Sequence, residues 1–277
     1  MPQPPDPTRL LYDNLFSGRS GSSTFSEISN GLAAIVENAE HLLDDAQVLF
    51  DSERFSRAFF LIATADEELA KSYILLEACR LDFNRHTGLL RRLCKAFYRH
   101  VEKYAYNQVF RDDIRDMAHA KEVFRTELQR WWPSTSYDSG EPDLPHYTYF
   151  TRDTNLYVDF IDYDQQWWIP SDTHARLSFS MLGDQITEPN PLSESQDALS
   201  KIKATHENGL FQPRVLGIIN NIFRNCYIDE NTSNETLYGL YDTVAVTIQN
   251  EIGITYEDFD KSALKGWPLY HFLQSCT

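Results

Sequence analysis

The sequence predicts a mainly α protein: an antiparallel helical bundle with a small strand/loop insertion and a helical C-terminal part. Three observations carry that expectation. Apolar residues recur at three- and four-residue steps almost without interruption from Thr24 to Trp132. Only the short polar stretch Asp51-Ser52-Glu53 separates the first two periodic runs, which makes them an antiparallel hairpin. Past Pro133 the pattern changes to loop and to aromatic, β-branched segments.

The chain has 277 residues, 42% of them hydrophobic, so it can bury a full core without disulfide or metal staples. Lys plus Arg number 25 against 41 for Asp plus Glu, a formal charge of -16. That balance disfavours non-specific attraction to nucleic acid or anionic membrane, so any such binding must come from a local basic patch. The opening MPQPPDPTRLLYDNLF has no basic segment followed by an apolar run, and no stretch approaches the ~20 apolar residues of a membrane-spanning helix. The four cysteines (Cys79, Cys94, Cys226, Cys276) lack paired spacing. A reducing, cytoplasmic setting without membrane contact is expected.

Taken in order, residues 1–23 hold four of the twelve prolines and a GRSGSS run, and read as a flexible leader. The bundle is expected over 24–132. Its first helix starts near Thr24, with Glu27 three residues on as in a capping box, although Ser29 or Asn30 would cap equally well. In it Ile28, Leu32, Ile35, Val36, Ala39, Leu42, Leu43, Ala46 and Leu49 recur at three- and four-residue steps through Phe50. A second helix runs from Phe55 to about Leu81, with Phe55, Phe59, Ile62, Leu69 and Leu76 as core residues. A third is expected over Thr87–Val109 and a fourth over Asp112–Trp132, stopped by Pro133. Residues 133–195 read as a strand/loop segment packed on the bundle, with YTYF, LYVDFIDY and QWWIP as extended pieces. Residues 196–277 read as a helical C-terminal region, with helices near Ala198–His206, Pro213–Tyr227 and Glu235–Glu251.

No Gly-rich phosphate loop, nucleophile elbow or metalloprotease helix appears, and neither a metal nor a cofactor is expected. Asp116 and His119 look like half of a di-iron carboxylate site, but a second half and two further inward Glu residues are missing, so an exposed polar face is the expectation. The segment Arg80–Lys103 is more informative. It holds seven Lys or Arg against Asp82 and Glu102 in a chain that is otherwise strongly negative. On one continuous helix Arg99 and Lys103 would lie within about 20° of Arg92, and Lys95 about 60° away, with His100 at the seam of this basic face and an apolar one. An ordinary solvated basic face is the plain alternative. In the second helix, Glu67 and Lys71 stand four apart with Glu68 beside them, flanked by apolar or small residues. In the interior of a bundle this group needs partners, and the basic third helix can supply them. Asp66 falls among Phe55, Phe59, Ile62 and Tyr73 on the apolar face, as a core acid, a site residue or an interface residue.

AEHLLDDAQVLFDSERFSRAFFLIATADEELAKSYILL resembles the opening hairpin of AbiV-type abortive infection proteins. There a Leu-Leu-Asp-x-Ala-x-x-Leu-like phrase leads through a short turn to a helix bearing Glu-Glu-Leu-Gly-Lys. Here that phrase is Glu67, Glu68, Leu69, Ala70, Lys71, with Ala70 in place of Gly. Phe97 to Lys103 resembles the next phrase, an aromatic followed by His-x-x-Lys. Leu156-Tyr157-Val158-Asp159, then Trp168 and Pro170, is similar to the later Leu-Tyr-Val-Asp and Trp-x-Pro. The likeness covers roughly residues 38–170.

The resemblance implies an HEPN-like helical bundle, a class whose members often form homodimers and whose active members are metal-independent ribonucleases. It implies an antiphage toxin with RNA as target and a phage-encoded protein as activator. In such enzymes an Arg, then four to six residues, then His meets its twin across the dimer. Carried onto this chain, His100 would be the acid–base group, with Lys95 or Arg92 as phosphate electrophile. Arg99 and Lys103 would bind RNA, and Glu67, Glu68 and Lys71 would support the site. The mark is imperfect. Four residues separate Lys95 from His100 and seven separate Arg92 from it, while Arg80 and His86 have the spacing but lie at the junction of the second and third helices. The competing expectation is a non-enzymatic module that senses a phage component or binds a host protein, and the acidic composition suits it. A further alternative makes residues 171–277 the functional part and the bundle a dimerisation platform.

Overall fold

A computed structural model describes residues 6–129, Pro170, 191–254, Pro268–Tyr270 and Phe272, together with the backbone of 159–161 and 166–168. The architecture over these residues is mainly α. Helix α2 (Gly21–Asp51) and helix α3 (Phe55–Ala78) form the central antiparallel pair. Of the periodic residues of α2, Ile28, Leu32, Ile35, Val36, Ala39, Leu43 and Ala46 are buried, whereas Leu42 and Leu49 are only half-buried. The helix begins one turn before the expected capping box. Ser20 caps it by accepting from the Ser23 N–H, and the Thr24 hydroxyl instead donates to the Leu15 carbonyl at 2.7 Å. At its other end the Arg54 N–H donates to the Leu49 carbonyl and the Glu53 N–H to that of Phe50. That pairing is a Schellman closure, with Glu53 at φ 57° in the left-handed position. It turns the chain back within three residues.

In α3, Ile62 and Leu69 lie in the core and Leu76 packs against it. Phe55 and Phe59 are only half-buried, because the hairpin turn leaves that end of α3 near solvent. Around this pair, α4 (Thr87–Ala96) and α5 (His100–Arg111) lie against α3, and α6 (Met117–Leu128) packs on α5. Strands β1 (Asp159–Ile161) and β2 (Gln166–Trp168) pair antiparallel, Phe160 opposite Trp167. The expected extended piece YTYF lies outside the described residues. Helix α7 (Pro191–Glu207) packs on α2 and α3, α8 (Pro213–Phe223) on α2, and α9 (Asn234–Ile252) on α8. Gly253, at φ 83°, closes α9.

Three expectations are corrected. Residues 7–15 of the supposed flexible leader form helix α1 (Pro7–Leu15). Pro7 stands at the first helical turn, where a missing N–H costs nothing, Asp6 caps it, and Tyr12, Leu15 and Phe16 are buried against the bundle. The expected third helix is broken in two by Phe97-Tyr98-Arg99. Tight bonds from the Tyr98 and Arg99 N–H groups to Lys95 and Ala96 end α4, and Arg99 is extended. The expected fourth helix starts late, at Met117, because Asp116 caps it by accepting from the His119 N–H at 2.8 Å. That cap also explains the Asp116/His119 pair as local structure. Leu192, Leu199, Val215, Leu237, Leu269 and Phe272 join the same continuous core as Ile28 and Leu69, so the described C-terminal helices are part of the bundle's interior.

Candidate functional site

Halfway along α3 the phrase Glu67-Glu68-Leu69-Ala70-Lys71 splits between two faces. Leu69 and Ala70 are fully buried, Ala70 accommodating its methyl group where the related phrase has Gly. Glu67 is only 7% exposed and points at the first turn of α5. There His100 and Lys103, three residues apart on one face, both reach its carboxylate. The His100 Nδ1 lies 2.8 and 2.7 Å from the two Glu67 oxygens, and the Lys103 Nζ donates to Oε2 at 2.6 Å. Since a carboxylate only accepts, Nδ1 is the donor, which in the neutral ring leaves the lone pair on Nε2. The Lys103 side chain is 6% exposed and that of His100 30%. A buried charge pair of this kind holds α3 and α5 in register, while the imidazole keeps one edge toward solvent.

Two further charges nearby, Lys71 and Arg99, are paired as well. Lys71 bonds Glu68 and sits 5.3 Å from the centroid of the Phe97 ring. Arg99 bonds Glu102 at 2.8 Å. This overturns the expected basic stripe. With α4 and α5 separate, Arg92 and Lys95 stay on α4, Arg99 falls in the break, and Lys103 is turned inward onto Glu67. Lys95 is exposed and Arg92 half-exposed, and neither makes an ion pair among the described residues. The Arg80–His86 pair is not assembled either. Arg80 is buried over the rings of Phe223 and Tyr241, while the His86 Nδ1 accepts from the Asp82 N–H at 3.1 Å in the turn before α4.

Two further acids of α3, the part-buried Asp66 and the buried Glu77, are held in networks of their own. Asp66 accepts from Arg111 (2.5 Å) and from the Ser195 hydroxyl (2.7 Å), and Arg111 also donates to Ser195 at 2.9 Å. Burial raises its pKa above the usual carboxylate range despite Arg111. Asp66 is thus a clamp between α3, α5 and α7. Glu77 is 1% exposed and accepts from the Tyr106 hydroxyl at 2.7 Å and from the Leu269 N–H. Burial pushes its carboxyl up to about 7, against the pull of Arg80. Burial likewise pushes the Cys79 and Cys94 thiols up to about 12, so neither is a ready nucleophile. Ser195, Arg111, Glu77 and Arg80 as network members were not foreseen, since nothing in their local spacing announces a partner on a distant helix.

Chemically, the Glu67–His100–Lys103 arrangement can orient one imidazole and present its basic nitrogen. Among the described residues no group of three or more metal-ligating side chains comes together. The described helices include none long and apolar enough to cross a membrane. Within the helical bundle, the Glu-Glu-Leu-x-Lys and His-x-x-Lys phrases thus meet at one histidine. The comparisons agree: the family model HEPN_AbiV, described as AbiV, matches residues 27–182, more than half of the chain. The chain belongs to the AbiV family of HEPN proteins, and with it to defence proteins of the abortive-infection type. No curated protein and no solved structure matches it significantly.

Proposed function

We propose that this protein is an abortive-infection toxin that cleaves RNA without a metal, with His100 as the general acid–base. One observation carries the reading: the imidazole of a partly exposed histidine is held at Nδ1 by a buried carboxylate that a buried lysine neutralises. In the cleavage, Nε2 of His100 takes the proton of a ribose 2′-hydroxyl. The 2′-oxygen bonds to the adjacent phosphorus, and the bond from phosphorus to the 5′-oxygen of the next nucleotide breaks. That oxygen leaves with a proton from the second acid–base group, His100 of a second copy, or from water. The cations of α4, Lys95 and Arg92, stabilise the charge on the phosphorane. Arg99 adds a phosphate contact, whereas Lys103 acts through Glu67. A phage-encoded protein releases the activity.

The test is expression in bacteria of the wild type, His100→Ala and Glu67→Gln, with growth, protein level and total RNA integrity followed together. The wild type should arrest growth and fragment RNA. His100→Ala should do neither at equal abundance, and Glu67→Gln should be intermediate. Toxicity that survives in a folded His100→Ala protein sinks the ribonuclease role. A second reading, a binding module for a phage or host protein, is favoured by the neutralisation of Lys71, Arg99 and Lys103 within the chain. It predicts toxicity without RNA fragmentation.

A further inference from the structure

Helix α4 carries Arg92 and Lys95 and leads into His100, yet its most extensive contact is not with α3 or α5 but with α1. It has ten residues and no side-chain cap at its N-terminus, too short a helix to hold its shape alone in water. The Arg91 guanidinium of α4 lies over the Tyr12 ring of α1, 4.9 Å from its centroid. Phe16, just past α1, meets the ring of Phe83 at 5.3 Å, ahead of α4. What holds α1 itself is modest. Tyr12, Leu15 and Phe16 are its buried apolar side chains, and the Thr24 hydroxyl bonds the Leu15 carbonyl. Packing beneath it is incomplete: Leu11 and Leu15 border a small apolar cavity with Ile74 and Ala78 of α3 and with Cys94 and Phe97 on the α4 side. Gly18, at φ 67°, forms the joint between α1 and α2. The family match starts at residue 27, so α1 lies outside the part of the chain that carries the family phrases.

The burial of three apolar side chains is of the same order as the entropy lost in fixing about ten residues of backbone, so the docked and released states of α1 lie close in free energy. We propose that α1 is a latch: it leaves the bundle and returns while the rest stays folded, and only when docked does it hold α4, with Arg92 and Lys95, in place ahead of His100. The α2–α3 hairpin has a far longer mutual interface and stands through the release. The latch itself follows from the packing of α1, and its effect on activity rests on the ribonuclease reading above. Release frees one face of α4 and opens the apolar cavity to water. The cations then lose the fixed geometry that stabilisation of a transition-state charge requires. Docked α1 is therefore the active state, and released α1 the inactive one.

Cys94 reports on the latch, because its thiol is buried beside α1, and Cys79, buried where α3 meets α8, is the reference. The full-length protein is treated with iodoacetamide under native conditions, and labelling of each cysteine is followed by mass spectrometry. Cys94 should react at least tenfold faster than Cys79, roughly the gap between a local and a global opening. Leu15→Ala should speed Cys94 by about tenfold or more, the effect of truncating a buried leucine, and Leu15→Met should return it to the parent rate. Val244→Ala, in α9, which packs on α8 rather than on α1, should speed Cys79 and leave Cys94 unchanged. A single rate for both cysteines, rising together in Leu15→Ala and in Val244→Ala, means that α1 opens only with the whole bundle and overturns the proposal. In bacteria, Leu15→Ala should also arrest growth less and fragment less RNA than Leu15→Met at equal abundance. A loosened Cys94 with undiminished toxicity and RNA cleavage overturns the hold of α1 on the α4 cations. If the wild type leaves RNA intact, the ribonuclease reading falls, and the latch is decided by the labelling alone.

Discussion

Glu67 and Glu77 are the same residue type on the same helix, ten positions apart, and α3 puts them to opposite uses. Glu67 meets two basic side chains, Lys103 and His100, and one of these keeps an edge toward solvent. Glu77 meets a phenol, the backbone N–H groups of Leu269 and Tyr270, and the guanidinium of Arg80, all inside the core. Around Glu67 charge is balanced by charge. Around Glu77 burial outweighs the favourable contacts and lifts the carboxyl to about 7. A buried acid is therefore not in itself a sign of a reactive centre. What separates the two is access: the Glu67 cluster opens through His100, and the Glu77 cluster anchors Leu269, Tyr270 and Phe272 on the bundle.

If that contrast is right, Glu77→Ala should be the most damaging change, because it takes a shared acceptor from three buried donors and a carboxylate from beside Arg80. Loss of one partner from such a buried group costs about 3–5 kcal/mol, to be read by urea denaturation. Lys103→Met should come next, at about 3 kcal/mol, by removing the buried ammonium that balances the Glu67 charge. A loss below ~1 kcal/mol would mean that the Glu67 cluster is not a structural pair at all. Glu77→Gln, which keeps an acceptor, should cost only about 1–2 kcal/mol and should also change the pH profile. The folded-state carboxyl lies above its unfolded value, so the native protein holds the proton more tightly. Stability is then higher below pH 4.5 and falls as pH rises through about 7. Asp66 adds a fall of the same sign. Glu77→Gln should remove the Glu77 part of that fall, and an unchanged slope would place the titrating group elsewhere. The smallest effect belongs to Arg99→Ala, whose exposed pair with Glu102 should be worth under ~1 kcal/mol.

How much of this was legible beforehand varies with the range of the interaction. The α2–α3 hairpin could be read almost to the residue, because periodic burial and a three-residue polar turn are local facts. The meeting of Glu67 with the basic segment could be anticipated, since a charge flanked by buried residues needs a partner. Which cation would meet it could not. A helical wheel assumes an unbroken helix, and the break at Phe97–Arg99 arises because α4 and α5 bury different faces: Leu90, Leu93 and Ala96 on one, Lys103, Tyr106 and Asn107 on the other. Helix α1 was hidden by its prolines, which read as leader until Tyr12, Leu15 and Phe16 find a surface to cover.

The sequence by itself determined the helical class, the central hairpin, the family phrases and the candidate histidine, because each is written in spacings shorter than about one or two helical turns. Only the tertiary structure decided that Lys103 is a buried counter-ion rather than a phosphate ligand. It also decided that Asp66 clamps α7 through Ser195, and that Glu77 and Arg80 sit in the core with the 268–272 segment. These are contacts between residues 36 to 192 positions apart, and their partners are chosen by which helix faces pack together, a choice that no local spacing encodes.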